Sequence, residues 1–232
     1  MSTQITTEQR VRDDLADEAA PRPGRAWALA GVFAGVAGFA TTILSGMVDA
    51  VYRKGVVDDP AIVIERMDDK VAQLIAFHVV ATLTALALVP FGVGLFRRLR
   101  GALGADSLVP GIAAFGVLGT AIVVLMGTAL NTEFVFAVTE SDMVLPESAA
   151  FYNHWIGTVP WVWSLTGLTG WALFAAKRAG AVRGWIGIAG LVLGTLSLLL
   201  TIVPLQYMSA WTGAVMLVLV GFGLAVGDRR TR

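Results

Sequence analysis

Six apolar runs divide this chain, separated by short polar or proline-containing segments: Ala26 to Val48, Val71 to Phe96, Leu108 to Leu130, Tyr152 to Ala176, Gly184 to Leu205 and Ala210 to Val226. About 20 apolar residues, rising 1.5 Å each along a helix, cross a hydrocarbon layer of about 30 Å. The pattern predicts an all-α fold, a polytopic membrane bundle of six transmembrane helices. Between the first two runs, Asp58-Asp59-Pro60 supplies an acidic helix start with proline in the first turn. Ile62, Glu65, Arg66 and Asp69 follow it as an interfacial helix feeding the second span. Pro146 and Glu147 start a helix that continues into span four, and Pro204-Leu205-Gln206-Tyr207 turns the last hairpin. Pro160 lies inside span four, where it frees a backbone carbonyl near Thr158 and predicts a kink.

Residues 1–25 mix charges with Pro21 and Pro23 and show no apolar period, so they read as a disordered cytoplasmic tail. The apolar run after Arg25 exceeds a signal-peptide core, which makes the first span an anchor. Residues 26–227 form one membrane domain, and 228–232 a basic cytoplasmic tail. The odd spans carry glycine pairs, Gly35 and Gly38, Gly116 and Gly119, Gly187 and Gly190, with Gly31/Gly35 and Gly190/Gly194 in small-xxx-small spacing. Such residues let helices approach closely in lipid, and ordinary helix packing accounts for them better than a triplicated hairpin.

Composition agrees with the pattern. Charged residues make up 15% of the chain, against about a quarter in soluble proteins, and the mean hydropathy is +0.73. Zero cysteines exclude disulfides, thiolate metal sites and covalent haem attachment. Fourteen arginines against three lysines, with abundant Ala, Gly and Val, resemble high-GC bacterial coding, which predicts a bacterial plasma membrane.

The net charge of zero hides a separation. Arg10, Arg12, Arg22 and Arg25 precede span one; Arg97, Arg98 and Arg100 follow span two; Lys177, Arg178 and Arg183 follow span four; Arg229, Arg230 and Arg232 close the chain. Basic residues beside spans stay cytoplasmic, so both termini are expected inside. Only Arg53, Lys54, Arg66 and Lys70 then face out, together with ten of the seventeen acids. That acidic outer face disfavours nucleic acid as a partner there. The expected partners are the lipid bilayer, a small lipophilic ligand and a homo-oligomer or membrane partner.

Measured from the inner clusters, the polar residues gather at the outer level: Asp49 roughly 36 Å from Arg25, His78 roughly 28 Å from Arg97, Glu133 roughly 40 Å from Asp106, and His154 and Gln206 each roughly 34 Å from their clusters. His78 lies between Phe77 and Val79, and ionisable groups within spans face interior cavities. His154, Thr158 and Trp161 share one helical face. The tryptophans also suit an interfacial aromatic belt. Asp49, His78, Asn131, Glu133, His154, Thr158, Trp161 and Gln206 are therefore the candidate ligand-binding residues, with Glu133, His78 and His154 the candidates for acid–base catalysis. The two histidines permit bis-histidine haem b, and the His, Glu and Asp side chains permit zinc, but no HExxH pair occurs and neither cofactor nor metal is predicted. Phosphate loops, nucleophile elbows and dinucleotide fingerprints are absent. A proton-coupled carrier needs broken helices and mid-membrane polar groups, which the sequence does not display, so an outward binding pocket ranks above transport. A membrane-embedded enzyme on a lipophilic substrate and a structural accessory subunit are the alternatives.

Through Asn131-Thr132-Glu133-Phe134, the stretch from His154 to Trp161, and Pro204-Leu205-Gln206-Tyr207-Met208, residues 26–226 resemble an uncharacterised family of multi-pass proteins of high-GC Gram-positive bacteria. The resemblance implies six spans; the family has no known activity, so the resemblance transfers no catalytic role to any residue.

Overall fold

The computed structural model describes residues 24–52, 61–139 and 143–227. The terminal tails up to residue 23 and from residue 228, and the Asp58-Asp59-Pro60 helix start, lie outside the described residues. Every described element is a helix: α1 Ala26–Gly46, α2 Ile62–Asp68, α3 Val71–Leu103, α4 Val109–Gly127, α5 Asn131–Ala137, α6 Pro146–Thr158, α7 Thr166–Arg178, α8 Gly184–Ile202 and α9 Ser209–Gly227, with short 3-10 turns at Val159–Trp161 and Gln206–Met208. Among the described residues five segments are long and apolar enough to cross a membrane, those of α1, α3, α4 with α5, α8, and α9 with its 3-10 turn. The chain is an all-helical, multi-pass membrane protein.

The long helices form a closed ring in which α1 packs on α3, α3 on α4, α4 on α7, α7 on α8, α8 on α9, and α9 back on α1. In lipid no hydrophobic force draws helices together, so close contact of small residues must hold them. Gly31 receives the ring of Phe91, Gly94 receives Trp27, and those two aromatics stack at 6.1 Å. A methyl group at Gly35 would lie 2.7 Å from the Ala214 carbonyl oxygen of α9, and one at Gly221 2.8 Å from that of Ala28 in α1. The glycines of α1 are thus contact points for both of its neighbours. Leu29, Phe33, Val36, Phe115, Ile122, Val192 and Phe222 are exposed on the outside of the ring, an apolar surface that only a nonpolar solvent suits.

Helix ends follow local chemistry. The α3 helix stops at Gly104, whose φ of +87° is open to glycine. At the end of α7, Gly180 takes φ +73° and the Ala181 N–H reaches back to the Ala176 carbonyl at 2.9 Å, a Schellman closure beside Lys177 and Arg178, whose charges complement the helix dipole. Pro90 inside α3 removes one backbone donor, and the helix continues through it.

The fourth apolar run departs from expectation. Instead of one kinked helix over Tyr152 to Ala176, α6 ends at Thr158, a 3-10 turn carries Pro160, and α7 starts only at Thr166. Proline removes a donor and crowds the carbonyl four residues earlier. Tertiary contacts then hold the break open: the Trp163 N–H donates to Ser209 Oγ at 2.8 Å, and its indole N–H to the Pro160 carbonyl at 3.1 Å. The Trp163 ring is buried and lies against Gly38 and Gly213, which have no side chain to exclude it. Beside it the Ser164 hydroxyl is buried without a hydrogen-bond partner among the described residues. The absence of a discontinuous helix, inferred from sequence, is therefore corrected: the fourth apolar run is discontinuous.

Candidate functional site

At the end of the bundle remote from Arg25, Arg97 and Lys177, the interrupted fourth segment and the end of α1 enclose a cleft of about 350 Å³. One wall comes from α1 and the residues after it: Ser45, Gly46, Asp49 and Tyr52. The other comes from α6 and the break, Asn153, Gly157, Thr158 and Trp161, with Tyr207 closing from the turn before α9. The Asp49 carboxylate accepts the Tyr52 N–H at 3.1 Å, an aspartate turn that ends the α1 segment in a defined direction. Buried Asn153 accepts the Ala50 N–H at 3.4 Å and so fixes this turn to α6. The Trp161 indole N–H donates to Ser45 Oγ at 2.6 Å, and its ring meets Tyr207 and Trp211 edge-on. Thr158 Oγ1 donates to the His154 carbonyl at 2.6 Å, one turn back along the same helix, so this hydroxyl is already engaged at the edge of the cleft.

His154 is exposed and stands behind the cleft: its Nδ1 lies 3.1 Å from the Tyr52 hydroxyl, and the two rings meet at 80°. His78 belongs to a different cluster. Its Nδ1 is 3.2 Å from Asn131 Nδ2, while Asn131 Oδ1 accepts the Tyr152 hydroxyl at 3.0 Å. With its amide carbonyl engaged by tyrosine, Asn131 turns its amide N–H to the imidazole. Tyr152 is fully buried and stacks on Phe134 at 4.5 Å with planes 3° apart. This triad ties α3, α5 and α6 together.

Family models, curated proteins and solved structures give no match to this chain. Geometry alone assigns roles here. Asp49, Thr158 and Trp161 come together in the cleft, His154 adjoins it through Tyr52, and His78 and Asn131 form the separate triad. Glu133 is exposed at the start of α5, and Gln206 is exposed in the last turn; neither lines the cleft. Among the described residues no three His, Cys, Asp or Glu side chains are placed to share a metal ion. Sequence reasoning missed Ser45, Tyr52, Asn153, Gly157 and Tyr207. Three of these stand one position from a residue it chose, Asn153 beside His154, Gly157 beside Thr158 and Tyr207 beside Gln206.

The triad makes a measurable demand. Substituting Asn131→Leu strands the buried Tyr152 hydroxyl and is expected to destabilise the chain by about 1–3 kcal/mol, whereas Tyr152→Phe removes one hydroxyl with its bond and costs about 1 kcal/mol. Thermal unfolding in maltoside micelles, comparing both variants with the parent, checks this ranking.

Proposed function

We propose that this chain crosses a bacterial plasma membrane six times with both termini inside, and that its outer cleft binds a small or lipid-like ligand. The observation that carries the proposal is the broken fourth segment. Unwinding a helix at membrane depth is tolerated where the backbone lines a cavity or is buried in protein. Here the break places Thr158 and Trp161 on one side of a cleft that α1 completes with Asp49 and Tyr52. Arg25, Arg97, Arg98, Arg100, Lys177, Arg178 and Arg183 lie at the opposite end, which supports an outward opening. A cavity near 350 Å³ is at the small end of the range for ligand sites, about 300–1,000 Å³. Its mixed lining, hydroxyls and a carboxylate beside aromatic rings, fits a molecule with a polar head and a short apolar body.

The absence of cysteine makes the orientation directly testable. Gly157→Cys is expected to react with a membrane-impermeant maleimide in intact cells, and Ala105→Cys only after permeabilisation. The reverse pattern refutes an outward cleft. Gly157 lines the cleft and a Cβ there meets no atom within 4 Å, so the Gly157→Trp side chain leaves the backbone into open space and is expected to occupy the cleft. Native mass spectrometry is then expected to show a retained small molecule or lipid on the parent and none on Gly157→Trp.

A further inference from the structure

Lys177, Arg178 and Arg183 are the only lysines and arginines between Glu147 and Asp228, a stretch whose interior holds no acid. They gather in one corner of the bundle, at the end of α7 and in residues 179–183 that lead to α8. The Gly180 closure, with the Ala181 N–H on the Ala176 carbonyl, folds that connection tightly and keeps the three cations near one level. Because α8 is long and apolar enough to cross a membrane, its first residue, Gly184, marks the level of the polar headgroups. Three cations against the one acid at the border of the stretch, Asp228, leave a local charge of +2.

The side chains are laid out along that level. The Lys177 stem rests in the notch of Gly187 on α8, and its ammonium lies 5.5 Å from the centre of the Phe174 ring. Arg183 lies along Gly227 at the end of α9, its Nε 3.0 Å from where a Cβ would stand, and Arg178 is exposed. From here an apolar stripe runs into the membrane: Trp185, Ile188, Val192, Leu196 and Leu199 recur every three or four residues and are exposed along one face of α8. Trp171 of α7, also exposed, stands beside the stripe with its indole N–H on Thr195 Oγ1 at 3.1 Å. It lies one and a half turns, roughly 9 Å, below Lys177.

We infer that this corner binds a phospholipid with a net negative headgroup, its phosphate on Lys177, Arg178 and Arg183 and one acyl chain on the α8 stripe beside Trp171. Charge and surface shape together select this occupant. A guanidinium fork matches phosphate oxygens in pairs, and the lysine ammonium adds a point charge. Basic groups between membrane helices at the polar level take anionic headgroups for this reason. A zwitterionic lipid brings the same phosphate with its own ammonium attached, which competes with the three cations. A soluble anion meets the cations but gains nothing from the stripe, whereas an acyl chain needs an apolar path that starts at headgroup level. The corner is at the end of the bundle remote from the cleft, so the inference depends neither on what the cleft holds nor on which side of the membrane the corner faces.

Phosphatidylglycerol and phosphatidylcholine of matched acyl chains separate headgroup charge from chain. Native mass spectrometry of the delipidated full chain in maltoside micelles is expected to show saturable phosphatidylglycerol binding, about tenfold or more tighter than phosphatidylcholine. Arg178→Gln and Arg183→Gln are each expected to weaken phosphatidylglycerol by about fivefold and to leave phosphatidylcholine unchanged. Arg178 is exposed and its variant keeps the test valid if Arg183→Gln disturbs the contact with Gly227. The paired variant Arg97→Gln with Arg100→Gln removes the same charge as the two corner variants combined, but from α3, which α4 separates from α7 in the ring. With that separation screened by salt, it is expected to change phosphatidylglycerol affinity by less than about twofold. Glycerol phosphate, the head without chains, is expected not to compete. Equal affinity for the two lipids, or phosphatidylglycerol binding unchanged in both Arg178→Gln and Arg183→Gln, overturns the site. A loss in the α3 pair as large as in the corner pair assigns the effect to the summed field of the basic end, and full competition by glycerol phosphate assigns it to a soluble anion; either result overturns a lipid site at this corner.

Discussion

Replacing Gly170 by valine is expected to prevent the chain from assembling. At this crossing of α7 and α8 the helices touch through their backbones: a Cβ on Gly170 falls on the Gly190 carbonyl oxygen and lies 2.9 Å from Gly194 Cα. The contact is reciprocal, since a Cβ on Gly190 would lie 2.8 Å from the Gly170 oxygen and one on Gly194 2.9 Å from that of Gly167. Backbone atoms have no rotamer to change, so the whole helix must move away. Overpacking against side chains costs about 1–3 kcal/mol, and a clash against backbone exceeds that range. The alanine variant is expected to lose roughly 3 kcal/mol, and the valine variant to disappear from the monodisperse peak in size-exclusion chromatography. Gly157→Ala is the control, because its added methyl meets nothing and replaces the most flexible residue within a helix. If Gly170→Val elutes and melts like the parent, the α7–α8 crossing is not as close as described.

Trp163→Ala is expected to destabilise the protein by about 3–5 kcal/mol and to loosen the break in the fourth segment. The indole is buried, is held by its own N–H, and occupies the space that Gly38 of α1 and Gly213 of α9 leave open. Its removal leaves a cavity between three elements that no nearby side chain fills. The loss is one of packing contacts, the main source of cohesion between helices in lipid. Ligand binding should fall along with stability, because Trp161 stands two residues away and its position depends on the same turn. Unchanged thermal stability with altered binding would place Trp163 in recognition instead.

The apolar runs of α1, α3, α4, α8 and α9 were legible because each is long and uninterrupted, and in lipid that pattern leaves little other than a helix. The break in the fourth run was only half legible. Pro160 announced a disturbance, but the size of the interruption depends on Ser209, which takes the Trp163 N–H from 46 residues away. The charge clusters gave the depth of polar residues along their helices and nothing about rotation around them. One residue along a helix turns a side chain by about 100°, enough to replace His154 by Asn153 in the cleft and to put His78 with Asn131 and Tyr152 in a separate network. Tyr52 was out of reach for another reason: it lies beyond the end of α1, where the Asp49 turn sets its course.

Ring closure also imposes an order on biogenesis. Among the described helices α1 leaves the ribosome before the rest, and α9, the neighbour that covers Gly35 and approaches Ala28, after them. Until the final segment is inserted, the glycine-lined flank of α1 has only lipid against it, and the bundle stands as an open arc with two unmatched ends. Truncation before α9 therefore removes the clasp of the ring, and quality control acting on nascent membrane proteins would meet that open arc until α9 is inserted.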